Sequence, residues 1–281
     1  MCIDKKSVPP PDSDSRVAAA DLARLEGESK KLREEIDRVK GEQIEYLQNV
    51  SHQLVAPLNA IKWHIENLTS GRLSVERAKK VLRSIYSQAT IAVHLAKNFA
   101  LMSNLEADHS LRAMSEPVEE VDLKRLLVNL ADDFQPLGWE KGIRIVLDDE
   151  SFQKNVTVYA IKPLISQVFS NIIENAVKYS NTDSIIRIEQ VDHAQKDVVA
   201  VEVKNVGVGI AREDLNRVFE RSFRSERARN KYPAGTGFGL YIAQKIIAIH
   251  LGEVAASMSA KEETVFKVTL WRDKLKGKKE P

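Results

Sequence analysis

The sequence is short of two features, cysteine and long apolar runs, and each shortage narrows the kind of protein that it encodes. Cys2 is the one cysteine among 281 residues. A single thiol cannot form an intrachain disulfide, which favours a reducing compartment. No stretch approaches the roughly 18 consecutive apolar residues that a membrane span needs, and the N-terminus lacks the apolar core of a signal peptide. The sequence therefore predicts a cytoplasmic chain without a membrane segment.

An excess of charge of one sign is also missing. The chain has 42 Lys and Arg residues against 40 Asp and Glu residues, a formal net charge of +2. This balance gives no sign of a nucleic-acid partner, since such partners are bound through a strongly basic surface. Hydrophobic residues make up 43% of the chain, which is enough to bury the cores of about two domains.

The first part of the chain carries a coiled-coil pattern. Residues 1–17 combine prolines with Ser, Asp and Lys, a composition that predicts a disordered tail. Residues 18–44 are predicted to be a coiled-coil signal helix, because seam positions alternate in steps of three and four, and a parallel dimer is the natural use of such a seam. The seam consists of Leu22, Leu25, Ser29, Leu32, Ile36, Val39, Gln43, Tyr46 and Val50.

A helical hairpin is predicted for residues 45–110. Two amphipathic helices are interrupted at residues 69–74, which contain Gly71 and Ser74, a helix-ending and a helix-starting residue. Two copies of a hairpin make a four-helix bundle, so dimerisation would complete the core. Residues 111–117, which end at a proline, are predicted to be a linker.

One histidine on the first helix of the hairpin faces away from the apolar seam. His52 lies about 200° around the helix from both Val50 and Leu54, so it is predicted to face solvent. Pro57, five residues later, frees the carbonyl of Gln53 and predicts a bend beside the histidine. Taken alone, the stretch fits a structural helix with an idle surface histidine better than a reactive site.

After Val118 the apolar period shortens and a second domain is predicted over residues 118–272. Neighbouring β-like runs at 185–190 and 198–203 predict an antiparallel hairpin, so we expect one mixed sheet covered by helices on one face. The other predicted strands are 143–147, 156–159 and 265–271, and the predicted helices are 123–137, 162–179, 214–219 and 238–250. The residues after this domain, 273–281, are predicted to be a solvated basic tail.

The stretch N-I-I-E-N-A-V-K-Y places four polar side chains on one face of a predicted helix. They are Asn171, Asn175, Lys178 and Tyr179. Such groups are costly to bury unless they meet a polar ligand, although an ordinary wet helix end would look the same.

Two glycine-containing stretches follow. K-N-V-G-V-G-I comes directly after a strand, where glycines allow close backbone approach and Asn205 could bond an adenine-like edge, although a lone G-x-G is more often a turn. G-T-G-F-G-L opens a helix, whose N-terminal N–H groups can bind phosphate, but it is neither a P-loop nor a dinucleotide fingerprint. The glycines concerned are Gly207 and Gly209 in the first stretch and Gly235, Gly237 and Gly239 in the second, where Leu240 follows.

In this order, the three stretches resemble the N, G1 and G2 boxes of the GHKL ATPase superfamily. The stretch D-L-N-R-V-F-E-R-S-F-R, residues 214–224, is similar to the F box of sensor histidine kinases, and V-S-H-Q-L-V-A-P-L is similar to their H box. The five boxes stand in the family's order over about residues 45–272. The resemblance implies a dimeric four-helix bundle followed by a two-layer α/β sandwich ATP-binding domain of the GHKL, or Bergerat, type.

The resemblance also implies a function. His52 matches the histidine that such kinases phosphorylate with ATP, before the phosphoryl group passes to an aspartate on the receiver domain of a separate response regulator. Asn171 and Asn175 match residues that hold Mg²⁺ and the ATP phosphates. The other residues implied to contact the nucleotide are Lys178, Tyr179, Asn205, Gly207, Gly209, Arg224, Gly235, Gly237, Gly239 and Leu240. A homodimer is implied, and an upstream sensor domain or partner is possible.

Three departures from the family's pattern leave alternatives open. Gln53 replaces the usual acid after the histidine and could orient the ring but not take its proton, and Ala56 replaces the Thr or Asn that supports phosphatase activity. Asn205 stands where most members have Asp. An ATP-binding pseudokinase is therefore one alternative. A GHKL ATPase is another, although Asn171 occupies the position of its water-activating Glu and Glu174 lies about 100° away from Asn175.

Overall fold

The computed structural model describes residues 13–69, 73–106, 117–152, 156–233 and 235–277. The chain divides into two compact units, residues 1–49 and 50–281. Helix α1 spans Ser13–Thr69. The predicted tail is too long at its C-terminal end, because the Ala-rich residues after Ser13 have high helix propensity and are helical; residues 1–12 lie outside the described residues.

In the first unit, the described seam residues are exposed. Leu25, Leu32, Ile36 and Val39 are between 45% and 65% exposed. Within this single chain nothing described covers them, so the seam offers an apolar stripe to another helix. Coiled-coil pairing stays a prediction.

The second unit begins with a helical hairpin. It consists of α1 from Val50 onwards and of α2, Val75–Glu106. The Ser74 hydroxyl accepts a 3.4 Å hydrogen bond from the Arg77 N–H at the start of α2, as expected for an N-cap. His52 is exposed, as its spacing predicts. Of the predicted linker 111–117, only Pro117 lies within the described residues. Among the described helices, none combines the length and the apolar character needed to cross a membrane.

The rest of the second unit is an α/β domain. Its strands are β1 Glu119–Asp122, β2 Arg144–Leu147, β3 Thr157–Ala160, β4 Ile185–Val191, β5 Val198–Val206, β6 Glu253–Met258 and β7 Glu263–Trp271. Its helices are α3 Leu123–Trp139, α4 Lys162–Tyr179, α5 Glu226–Lys231 and α6 Gly239–Ile249, with short 3₁₀ turns at Arg212–Asp214 and Arg217–Phe219.

Five strands form a mixed sheet in the order β2-β4-β5-β7-β6, in which β2 and β4 are parallel and the other pairs are antiparallel. The predicted hairpin of β4 and β5 is confirmed. The expectation of one sheet is wrong, because β3 pairs with β1 in a separate two-stranded sheet.

Helices cover the inner face of the sheet, and charged pairs cover the outer face. Ile186 and Ile188 are fully buried, while the residues between and around them are more exposed, as alternation along a strand requires. On the outer face Lys204 forms ion pairs with Glu189 and, at 3.0 Å, with Glu202. The domain is therefore the two-layer α/β sandwich that the resemblance implies.

A buried histidine joins two helix ends beneath this sheet. The Ile161 N–H donates to His250 Nε2 at 3.0 Å, so Nε2 carries no proton, and Nδ1–H donates to the Ile246 carbonyl at 2.8 Å. The neutral tautomer is thus fixed by its two partners.

In the predicted solvated tail, 273–281, the described residues are exposed except for Leu275. Leu275 is 4% exposed, and the Lys274 ammonium lies 3.7 Å from the centre of the Trp271 ring. Apolar burial and a cation–π contact hold these residues on the domain. Residues 278–281 lie outside the described residues.

Helix α2 packs along α3 through a partly polar face. The Tyr86 hydroxyl donates to Asp133 Oδ1 at 3.0 Å, a bond that raises the pKa of the phenol. The His94 ring lies 4.8 Å from that of Phe134, and Met102 is fully buried. Apolar residues on another face of the helix, such as Leu82 at 56%, remain exposed.

Candidate nucleotide-binding site

Helix α4 carries a row of polar residues into the interior of the domain. The helix starts with a proline in its first turn, which is compatible with the unpaired N–H groups there. Most of its residues are buried, including Asn171 at 1% and Glu174 at 5% exposure. Polar groups at such depth need polar partners.

These residues line an open cavity. The cavity is bounded by α2, α4, the end of β5, β7, the segments 223–228 and 235–237, and the start of α6. It brings together eleven of the twelve residues that the sequence selects as nucleotide contacts, namely Asn171, Asn175, Lys178, Tyr179, Asn205, Gly209, Arg224, Gly235, Gly237, Gly239 and Leu240. Their roles toward a nucleotide stay predictions.

Gly207, the remaining predicted contact, does not line the cavity. A Cβ added at Gly207 would lie 2.0 Å from the backbone oxygen of Tyr179. The residue therefore serves the close packing of the end of β5 against the end of α4, where Ser180 and Gly207 form a β-bridge. His52 and Gln53, on α1, are also absent from the cavity wall.

The carboxamide of Asn171 has partners at both ends. Its Nδ2 donates to the Gly239 carbonyl at 3.0 Å, which fixes the orientation of the amide. Its Oδ1 accepts from Asn98 Nδ2 at 2.8 Å and from Gln167 Nε2 at 3.2 Å. Gln167 Nε2 also donates to Asn98 Oδ1 at 3.0 Å. Three amides thus form one connected cluster at the start of α6.

Lys178 and Glu174 form an ion pair inside the cavity. Lys178 Nζ lies 2.8 Å from Glu174 Oε1. Burial alone would lower the pKa of Lys178, but the Glu174 carboxylate outweighs it and raises the pKa above the ordinary value. The ring of Tyr232 lies 5.3 Å from the same ammonium. The lysine is therefore charged and already paired.

Arg224 organises the segment that follows it. Its guanidinium donates to the carbonyls of Pro233 and Gly235, both at 2.8 Å, to that of Ala228 at 3.2 Å, and to that of Tyr232. The residue lines the cavity, but its donors close the loop 225–235, which we term the lid.

The amide oxygens of Asn171 and Asn175 are hard ligands of the kind that Mg²⁺ accepts. Within the described ranges no group of three or more His, Cys, Asp or Glu side chains could hold a metal ion by itself. The residues fit Mg²⁺ that is bound together with the phosphates of a nucleotide, the usual way in which proteins hold this ion.

Glu174 and Asn98 are two of the twelve cavity-wall residues that sequence reasoning did not select. Glu174 lines it despite its angular offset from Asn175, because the cavity spans more than one ridge of α4. Asn98 comes from α2 and lies 73 residues before Asn171, so no local pattern could link them.

Comparisons with known proteins agree on the kind of domain. The family described as histidine kinase-, DNA gyrase B- and HSP90-like ATPase matches residues 160–274. The histidine protein kinase SaeS of Staphylococcus epidermidis is 29% identical over 223 residues, which cover 76% of this chain and 60% of that protein. This chain therefore spans about three fifths of the length of that relative.

Solved structures show the same fold. Full-length ShkA in complex with AMPPNP has a TM-score of 0.52 at 22% identity, covering 80% of this chain and 45% of that chain. The Acinetobacter baumannii histidine kinase AdeS has a TM-score of 0.50 at 19% identity, covering 79% of this chain and 98% of that chain.

Proposed function

We propose that the chain is a sensor histidine kinase with an ATP-binding domain of the GHKL type, which phosphorylates its own His52 with ATP and passes the phosphoryl group to an aspartate of a separate response regulator. One observation carries the proposal: a single cavity collects side chains from three separate boxes of the ATP-binding domain.

In this proposal the nucleotide lies along α4. Asn205, 3% exposed at the end of β5, faces the adenine, since its carboxamide can accept from the adenine amino group. Lys178 and the opening of α6 face the phosphates. Asn171 and Asn175 would hold Mg²⁺, which would neutralise charge on the triphosphate.

The transfer step uses the exposed imidazole of His52. A neutral ring nitrogen attacks the γ-phosphorus, the P–N bond forms as the bond to the β–γ bridging oxygen breaks, ADP leaves, and the ring loses its N–H proton. Gln53 cannot take that proton at neutral pH, so it passes to water and the step is slow. His52 does not line the cavity, so the ATP-binding domain has to approach α1 for transfer.

The partners follow from the same proposal. The hairpin exposes large apolar side chains, including Leu58 at 55% and Trp63 at 61%, which a second hairpin would bury in a four-helix bundle. The phosphoryl acceptor is a receiver-domain aspartate. Ala56, which is exposed, offers no group to position a water molecule, so we expect little phosphatase activity from that position. The kinase works in the cytoplasm, where ATP is available.

Labelling with radioactive ATP tests the proposal. We expect wild type to acquire an acid-labile, alkali-stable label, His52→Ala to acquire none, and His64→Ala, on the same helix, to keep it. Gln53→Glu restores a proton acceptor and should raise the labelling rate at least about tenfold, since general bases contribute roughly 10²–10⁴-fold.

Other outcomes identify the alternatives. Nucleotide binding without any labelled histidine would identify an ATP-binding regulatory protein and sink the kinase proposal. Rapid phosphate release without phosphohistidine would identify an ATPase. That case would direct attention to Glu174, although its pairing with Lys178 leaves it poorly placed to activate water.

A further inference from the structure

Helix α2 of the hairpin reaches into the nucleotide cavity. Leu95 and Asn98 belong to α2, and both line the cavity beside residues of the ATP-binding domain. On the same face of α2, one turn before and one turn after Asn98, His94 packs on Phe134 and Met102 is fully buried. Asn98 is therefore the polar residue of a larger surface through which α2 docks on the domain. Among the described hydrogen bonds, it is the only α2 side chain that bonds Asn171.

The hydrogen bond from Asn98 helps to fill the acceptor capacity of Asn171 Oδ1. A carboxamide oxygen has two lone pairs. Asn171 Oδ1 accepts from Asn98 at 2.8 Å and from Gln167 at 3.2 Å, so both are taken, and Nδ2 is held by the Gly239 carbonyl. The amide cannot flip to offer a fresh oxygen, because a flip would turn Oδ1 toward the Gly239 carbonyl and lose the hydrogen bond from Nδ2 to that carbonyl.

A metal ion at Asn171 must therefore displace one of the two donors. Gln167 lies one turn earlier on the same helix and is 3% exposed. Its side chain is therefore enclosed and cannot move away from Asn171. Asn98 belongs to a different helix and can leave with it. The Asn98 amide N–H and the cation would both need the same lone pair of Asn171 Oδ1, so they cannot bind this oxygen together.

We propose that Asn98 is a latch that competes with the metal of the nucleotide complex for Asn171. With the latch closed, α2 is docked on the ATP-binding domain and Asn171 is withheld from the metal. Binding of the metal–nucleotide complex opens the latch and loosens α2, and by linkage the docked helix weakens metal–nucleotide binding by the same factor. The inference rests on the proposed nucleotide site but not on phosphorylation of His52.

Nucleotide affinity with and without metal tests the latch. We would titrate the full chain with AMPPNP by calorimetry, once with Mg²⁺ and once with EDTA. Removing a hydrogen bond worth about 1 kcal/mol should tighten binding in Mg²⁺ about fivefold in Asn98→Ala. Affinity in EDTA should not change. Ser103→Ala, at an exposed position of the same helix, is the matched control and should match wild type in both conditions.

Asn98→Ser guards against a variant that does not fold. Its side chain stays polar but is too short to reach Asn171, so it should tighten binding in Mg²⁺ as Asn98→Ala does. Hydrogen exchange gives a second readout. Mg²⁺ with AMPPNP should speed exchange over residues 92–102 in wild type, whereas in Asn98→Ala these residues should already exchange faster before nucleotide is added.

Each contrary result has a distinct meaning. Unchanged or weaker binding of Asn98→Ala in Mg²⁺ would overturn the latch. Equal tightening in EDTA would overturn competition with the metal. Failure of wild type to bind AMPPNP in either condition would instead overturn the proposed nucleotide site.

Discussion

His250 shows how a single side chain can tie stability to pH. Its ring bridges the backbone before α4 and the end of α6, and it is 3% exposed. Burial lowers its pKa below the ordinary value, although the bond to the Ile246 carbonyl acts in the opposite direction. A protonated ring would face the Ile161 N–H with a second donor and lose that bond.

The sign of the resulting pH dependence follows from the lowered pKa. The unfolded chain binds a proton near pH 6.5 while the folded chain resists it, so this contribution to the free energy of unfolding is complete above about pH 6.5 and falls as the pH drops below it. His250→Gln can still accept from Ile161 but does not titrate. We expect urea unfolding between pH 7.5 and 5.5 to show a shallower loss of stability in this variant.

The exposed histidine His193 provides the control, since His193→Gln should leave the curve unchanged. Buried His94 also has a lowered pKa, chiefly through burial, so some pH dependence should remain in His250→Gln. A His250→Gln curve parallel to that of wild type would contradict the assignment.

At the scale of elements, the lid depends on one guanidinium. Four carbonyl oxygens of the lid accept from Arg224, while α5 itself has only six residues, too few to be stable alone. Arg224→Ala should therefore loosen the lid, because each lost bond contributes about 0.5–1.5 kcal/mol. We expect at least tenfold faster hydrogen exchange over residues 226–233.

Arg227→Ala removes an exposed arginine from the same short helix and should leave lid exchange as in wild type. If Arg224→Ala exchanged no faster than Arg227→Ala, the lid would be held by other contacts.

The elements that the sequence predicted well are those with a strong local pattern. The bounds of α4 match the predicted range 162–179, and β4, β5 and β7 each contain the predicted strand. The strand β1, E-E-V-D, was missed because only Val121 faces the core, and β6 was missed because Ala and Ser are weak strand formers. The partner of β3 could not be predicted, since register and pairing are tertiary properties.

In the candidate site too, local pattern could be predicted from the sequence and tertiary contacts could not. Asn171, Asn175, Lys178 and Tyr179 share a helix face, so spacing alone brings them together. The latch residue Asn98 meets them only because α2 docks on the domain, and such a contact leaves no trace in local spacing.

At the scale of the whole molecule, the exposed seam of α1 predicts an assembly. A second copy would bury Ile36, now 45% exposed, in both chains. Ile36→Asp places a charge in each half of that seam and should raise the dimer dissociation constant at least about a hundredfold, since burying such a side chain contributes about 1.5–3 kcal/mol per chain. Sedimentation velocity measures the change.

The neighbouring substitution Asp37→Ala, off the seam, should leave the dimer intact. A wild-type chain that sediments as a monomer at micromolar concentration, or an Ile36→Asp chain that dimerises as wild type does, would show that the seam has another use.

The contrast between Gly207 and Gly239 has a consequence for how this chain can change over evolutionary time. Gly207 is required by the fold, because any side chain would strike the Tyr179 backbone whether or not a nucleotide is bound. A Cβ at Gly239 would make an ordinary 3.6 Å contact with Asn171, so the protein itself tolerates one there. A descendant that had stopped binding nucleotide would keep the first glycine and be free to lose the second. A substitution at Gly239 together with a retained Gly207 would therefore indicate that a relative no longer binds nucleotide.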